Sequence, residues 1–201
     1  MSSQTDGLEE LVDVSNVLLL GPSVDASVDA GCKHLLTAKS DDALLVVSFM
    51  LSPEQWVRQW RERVGGLPED LVIVATSDAF NQPGDEDDLP DSVNVEYLSS
   101  PGDLTGIGMM ISKYLERWHD NDRNMAVCFD SLTTLMQYAE TRSIYRFLHL
   151  ITTRLSGADA SSHFHFDPGT QDEQTVSTIS STFQAIAKRK PEEDGWEIKQ
   201  R

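Results

Sequence analysis

Apolar residues gather along this chain in short unbroken runs, separated by stretches in which they recur every three or four positions. The runs at 17–20, 44–49, 71–76, 93–97, 125–129 and 163–166 are strand candidates. Most are continuous rather than alternating, as in a parallel sheet covered on both faces. Between them, residues 27–38, 53–63, 100–118, 132–155 (a long stretch with room for a bend) and 171–186 read as helices. In the third of these, Leu104, Ile107, Ile111 and Leu115 fall on one helical face, with Asp103 near its start. The second opens with Ser52 as a cap and Pro53 in its first turn. Strand–helix alternation of this kind predicts an α/β, doubly wound, mostly parallel sheet.

The same pattern frames the domain. The chain of 201 residues is long enough for one ordinary core, expected over 13–201 behind a polar, frayed segment at 1–12. Residues 78–91 form an acidic loop with Pro and Gly, a surface excursion. Residues 191–195 read as a turn, so the end of the chain is either a short hairpin or a charged tail. No apolar run approaches bilayer length and nothing resembles a signal peptide, which leads to the expectation of a cytoplasmic chain with no membrane partner.

Charge changes the picture in one respect. The net charge is −17, from 33 acidic and 16 basic residues, with Asp more frequent than Glu and Arg more frequent than Lys. Such a surface suits either a basic partner or molar salt, where carboxylates hydrate well and their repulsion is screened. The acids are spread along the chain rather than clustered, which favours salt adaptation. On that reading charge does not exclude a nucleic-acid partner, but none is indicated, because no basic stripe is present.

Residues 16–28, NVLLLGPSVDASV, have the layout of a phosphate-binding strand, loop and helix. In a working G-x-x-x-x-G-K-[ST] loop, backbone N–H groups cradle the phosphates, the Lys reaches the terminal phosphates and the hydroxyl holds Mg²⁺. Counting from Gly21, those last three positions hold Ala26, Ser27 and Val28. Main-chain N–H groups at the helix start still attract anions, whereas Asp25 and Asp29 repel a polyphosphate.

Three segments in order resemble the RecA-like ATPases and, within them, the KaiC-type branch. The first is this loop. The second is VVSFMLSPEQW at 46–56, which keeps Ser48, Phe49, Ser52, Pro53, Glu54 and Gln55 of the family phrase but has Met50 and Leu51 where the family carries a water-activating acidic pair. The third is MAVCFDSLTTL at 125–135, similar to a Walker B strand, with Asp130 in the Mg²⁺ position and Ser131 after it. The likeness covers about residues 12–198 and implies a RecA-like P-loop core with a C-terminal β-hairpin. The chain is also similar to a group of halophilic-archaeal proteins labelled transducer-like, a likeness that carries no activity with it.

What the resemblance implies is a vestigial nucleotide site at Gly21, Ser23, Ser27, Asp130 and Ser131, with no catalytic residue. Replacement of the Lys, the metal hydroxyl and the base leaves a pseudo-ATPase, because phosphoryl transfer depends on positioning and charge neutralisation. The expected role is regulatory or scaffolding, through a protein partner or a homo-oligomer, with signal transduction one setting for it. The alternative is a sensor that binds ATP without hydrolysis, with Ser23 and Ser27 on phosphate and Asp130 on the metal. No cofactor is expected on the leading reading.

Other candidates read as structural. His163, His165 and Asp167 alternate on a strand and so share one side, a metal-capable ladder with no identifiable fourth ligand, and no metal site is expected. Cys32 and Cys128 lack metal-ligand spacing and read as small reduced core residues. Ser99, Ser100 and Asp103 read as caps, and Ser131 has no His placed to activate it. Trp56 with Trp60, and Tyr114 with Trp118, are i, i+4 pairs suited to packing.

Overall fold

The apolar runs become the strands of a single sheet. The computed structural model describes residues 5–38, 42–76, 89–190, 192 and 195–201. Its strands are β1 (Asn16–Leu20), β2 (Ala43–Ser48), β3 (Asp70–Thr76), β4 (Val93–Leu98), β5 (Met125–Asp130), β6 (Ser161–Phe166), β7 (Ala185–Lys190) and β8 (Gly195–Gln200). Its helices are α1 (Ala26–Ala38), α2 (Pro53–Arg63), α3 (Leu104–His119), α4 (Leu132–Leu135), α5 (Thr141–Gly157) and α6 (Glu173–Ser180). The strand order is β4-β3-β2-β5-β6-β1-β7-β8. Every neighbouring pair is parallel except β7 with β8, which close an antiparallel hairpin.

Alternate side chains on each inner strand serve opposite layers. On β2, Leu45 and Val47 join α3 and α5, whereas Leu44 and Val46 face the layer of α1 and α2. On β5 and β6, Val127, Phe129, Phe164 and Phe166 pack into the α3–α5 layer. Cys128 and Ala126 point the other way. Complete burial of such a side chain contributes about 1.5–3 kcal/mol, so the two layers together hold the fold.

Local signals explain the helix starts. Ser52 caps α2 in a reciprocal box with Gln55, an arrangement worth ~1 kcal/mol. Asp103 caps α3 by accepting from the Gly106 N–H at 2.8 Å. Trp56 and Trp60 stack at 5.1 Å and Tyr114 and Trp118 meet at 5.6 Å, all four buried.

Three expectations need correction. The stretch at 132–155 is two helices, because Glu140 adopts an extended conformation between α4 and α5. The stretch at 171–186 is helix only to Ser180, and the apolar residues from Ala185 onward enter the sheet as β7. The segment expected to fray holds a 3-10 turn at Leu8–Leu11, with both leucines buried against α1. That packing is close: a side chain at Gly31 of α1 would meet Trp196 at 2.7 Å and Leu8 at 3.0 Å. The acidic loop expected at 78–91 lies outside the described residues except for its last three. No helix among the described residues is long and apolar enough to cross a membrane.

Candidate functional site

Ligands of doubly wound sheets sit at the carboxyl ends of the strands, and here the ends of β1, β5 and β6 meet the start of α1. Gly21 follows β1 and is required there by close approach. A Cβ at that position would meet Val28 Cγ2 at 2.5 Å and Arg189 Cβ at 3.2 Å.

Several of the main-chain hydrogen-bond donors of the loop and helix start, at Gly21, Ser23, Ser27 and Val28, are engaged inside the chain. The Gly21 N–H donates to the Phe166 carbonyl at 3.1 Å, and the Val28 N–H to the Asp25 carbonyl at 3.0 Å. The Ser23 N–H donates to Asp167 Oδ2 at 3.1 Å. Asp25 stands directly before α1, and its Oδ1 accepts from the Ser27 N–H at 2.8 Å, as an N-cap does. Two carboxylates of the protein therefore accept main-chain N–H groups of the loop and helix start. Asp167 is further fixed by accepting from the Gly169 N–H at 2.9 Å.

Arg189, on β7, reaches this loop from the neighbouring strand. It is buried, and its Nη2 donates to Ser27 Oγ at 3.1 Å while its Nε lies 3.6 Å from Asp25 Oδ2. Its Nη1 joins the end of β7 to the start of β8 through the carbonyls of Gly195, at 2.9 Å, and Lys190, at 3.1 Å. Ser27, the residue in the Lys position, is thus buried beneath an arginine. Val28, in the metal-hydroxyl position, is a core residue. Met50, in the position of the base, is 65% exposed.

A cavity of about 70 Å³ remains. Of the five residues named from the sequence, Gly21, Ser23, Asp130 and Ser131 line it, together with Asp25, Asp29, His165 and Asp167. Ser27 is not in the lining, because Arg189 and the helix start cover it. Asp29 pairs with Lys33 one turn along and with Arg63 at 3.0 Å. Ser131 caps α4 by accepting from the Thr134 N–H at 3.2 Å. Burial raises the Asp130 carboxyl above its usual value, against the opposing pull of His165.

Beneath the cavity, on the α1 side of the sheet, the fold assembles a group whose members are far apart in sequence. Cys128 and His163 are register partners on β5 and β6, and His165 is two residues along the same strand face. Cys32 descends onto them from α1. Its Sγ lies 3.6 Å from Cys128 Sγ and 3.1 Å from His163 Nε2, while His165 Nε2 is 3.7 Å from Cys128 Sγ. The hydrogen bond with Cys128 holds the Cys32 thiol well below its usual pKa, and the His163 and His165 charges add to this against the cost of burial. Cys128 moves upward, by its bond to Cys32 and by burial. Burial works to lower His165, but the Cys32 sulfur and the Asp130 carboxylate carry it up to about 9. Of the ladder read from the sequence, the two histidines belong to this group. Asp167 does not, being turned to the loop.

Arg189, Cys32 and Cys128 escaped the sequence reading as site residues. Their meeting depends on the sheet: β7 lies beside β1, from the other end of the chain, and β5 lies beside β6 across two intervening helices, with α1 packed over them.

Residues 14–188 match a family of unknown function, DUF7504. No curated protein resembles the chain closely enough in sequence to count as a relative. Among solved structures, the flagellar accessory protein FlaH of Methanocaldococcus jannaschii is similar over 92% of this chain and 76% of its own, with 12% identity and a TM-score of 0.59. A Pyrococcus horikoshii OT3 protein is similar over 100% of this chain and 92% of its own, with 10% identity and a TM-score of 0.58. An uncharacterized Pyrococcus horikoshii protein, solved in complex with an unknown peptide, covers 100% of this chain and 99% of its own, with 11% identity and a TM-score of 0.57. At these identities the likeness shows the fold, which is RecA-like, with an eight-stranded, mostly parallel sheet.

Proposed function

We propose that this chain, which belongs to the DUF7504 family of unknown function, is a RecA/KaiC-like domain that does not turn over nucleotide and acts as a regulatory or scaffolding partner through protein contacts. The observation that carries this reading is the self-occupied phosphate loop. Asp25 and Asp167 accept the Ser27 and Ser23 N–H groups, and Arg189 covers Ser27. A small-molecule site is roughly 300–1,000 Å³, whereas the cavity left here is about 70 Å³. A sensor that binds ATP would have to expel both carboxylates and then hold a polyphosphate beside Asp29 and Asp130.

Chemistry points the same way. Loss of one electrostatic contact in a transition state typically costs about two to three orders of magnitude in rate. Here the ammonium, the metal hydroxyl and the base are replaced together by Ser27, Val28 and Met50. Val28 offers no ligand to Mg²⁺, and Met50 offers no proton acceptor.

Protein contact is favoured by what the same edge of the sheet exposes. Val24 is 95% and Met50 65% exposed, both apolar side chains on this rim. They follow β1 and β2, three strand spacings apart in the sheet, or about 14 Å. That one protein of similar fold was solved with a peptide fits such a use, although the peptide is a property of that protein.

Sedimentation velocity of the wild type and of the V24D/M50D variant tests this reading, in about 2 M KCl to screen the acidic surface. The wild type is expected to run as a self-assembly and the variant as single chains with an unchanged circular dichroism spectrum, since an unpaired carboxylate in an interface costs roughly 3–5 kcal/mol. Equal sedimentation of the two would contradict association through this edge.

A further inference from the structure

The cluster under the vestigial loop has the composition and geometry of a metal centre. We propose that Cys32, Cys128, His163 and His165 form a Cys₂His₂ site for one zinc ion, which clamps α1 to β5 and β6. This inference stands apart from whether nucleotide binds.

Geometry comes first. The four ligand atoms lie within 4.8 Å of one another. Zn–S bonds of about 2.3 Å and Zn–N bonds of about 2.0–2.1 Å at tetrahedral angles place ligand atoms roughly 3.3–3.8 Å apart. The three contacts of 3.1, 3.6 and 3.7 Å lie within about 0.2 Å of that range. The ligands also come from three separate elements, so they surround a point rather than lie in a row. Two thiolates and two imidazoles in tetrahedral array select zinc over hard cations such as magnesium or calcium.

Charge and burial agree. Cys32, Cys128 and His163 are buried in an apolar layer that includes Val17, Leu19, Leu36 and Ala126. A lone cation in such a layer is costly, but Zn²⁺ with two thiolates is neutral overall. Binding requires both sulfurs as thiolates and both imidazoles unprotonated at the ligating nitrogen, so it releases protons. The four protein ligands complete the coordination, so the ion is structural and keeps no open position for substrate.

The surroundings support the same assignment. His165 Nε2 faces the sulfurs, while its Nδ1 lies 4.0 Å from Asp130 Oδ1. A carboxylate behind a ligand histidine fixes the ring and strengthens it as a donor. Asp130, the residue in the Mg²⁺ position of the ATPase relatives, would thus serve a different metal from behind. His165 also lines the small cavity, which gives the ion a route inward. The outcome is mechanical: nucleotide phosphates hold the loop helix in a working ATPase, and the ion holds α1 here.

Metal analysis of the full chain tests this. After purification and dialysis, mass spectrometry of the elements is expected to find about one zinc per chain. Zinc content is expected to fall about tenfold or more in Cys32→Ser and in His165→Ala, and to stay at one in Asp167→Asn. Cobalt in place of zinc is expected to give the strong visible bands of tetrahedral geometry and a thiolate charge-transfer band. If the ligand variants fail to fold, the wild-type stoichiometry and cobalt spectrum decide alone. No bound metal together with a Cys32–Cys128 disulfide or free thiols, or octahedral cobalt without thiolate bands, would overturn the proposal. Loss of zinc in Asp167→Asn would also overturn it, in favour of the histidine–aspartate ladder.

Discussion

Replacement of Arg189 by alanine is expected to destabilise the chain by about 3–5 kcal/mol, the usual cost of removing one partner of a buried charge network. Arg189 ties together three things at this point. These are the Asp25 carboxylate before α1, the Ser27 hydroxyl within it, and the carbonyls of Lys190 and Gly195 at the end of β7 and the start of β8. Without the guanidinium, those acceptors lose their donor in a place water reaches poorly. The Asp25 side chain is 21% exposed, which moderates its share of the loss. Urea unfolding in high salt measures the effect. Asp25→Ala in the same background is expected to recover part of the loss, because the carboxylate then no longer needs a cation. A loss under about 1 kcal/mol for Arg189→Ala would mean that the arginine is a bystander and that the loop is not held shut by it.

Phe129→Ala is expected to cost about as much, ~3–5 kcal/mol, by a different physical route. Phe129 sits on the central strand β5 with no exposed surface. Its ring stacks on Phe164 at 5.2 Å and meets Phe49 at 5.6 Å and Phe147 at 6.2 Å. Truncation leaves a cavity walled by three rings on two strand ends and a helix, which have little room to collapse. Leu150→Ala, at a side chain 54% exposed on α5, is the matching control and is expected to change stability by less than about 0.5 kcal/mol. Equal effects at the two positions in thermal or urea unfolding would refute the assignment of the α3–α5 layer as the main core.

The difference between these two residues also explains what the sequence reveals. Phe129 lies in an unbroken apolar run, and such runs identified β1 to β6 and the parallel α/β architecture directly. The errors arose where periodicity is ambiguous. Phe183, Ala185 and Ile186 continue an apolar pattern that suits a helix and a strand equally, so α6 and β7 merged into one element. Leu8 and Leu11 are two apolar residues in a polar segment, too few to form a period, yet both are buried beneath α1. Around the cavity, Gly21, Ser23, Asp130 and Ser131 meet because each follows the carboxyl end of an apolar run, a position the sequence marks locally. Arg189 is not marked in this way, since it meets Ser27 from 162 positions away. Cys128 and His163 become neighbours only when β5 is set beside β6, a register that no local spacing encodes.

The central claim is that the old phosphate loop is filled by the chain itself. Calorimetric titration of the wild-type protein with ATP and Mg²⁺, in about 2 M KCl to screen the acidic surface, tests it most directly. The self-occupied loop predicts no binding heat up to millimolar ATP. Saturable, Mg²⁺-dependent binding at micromolar ATP would contradict it, by showing that Asp25 and Asp167 yield their places to phosphate.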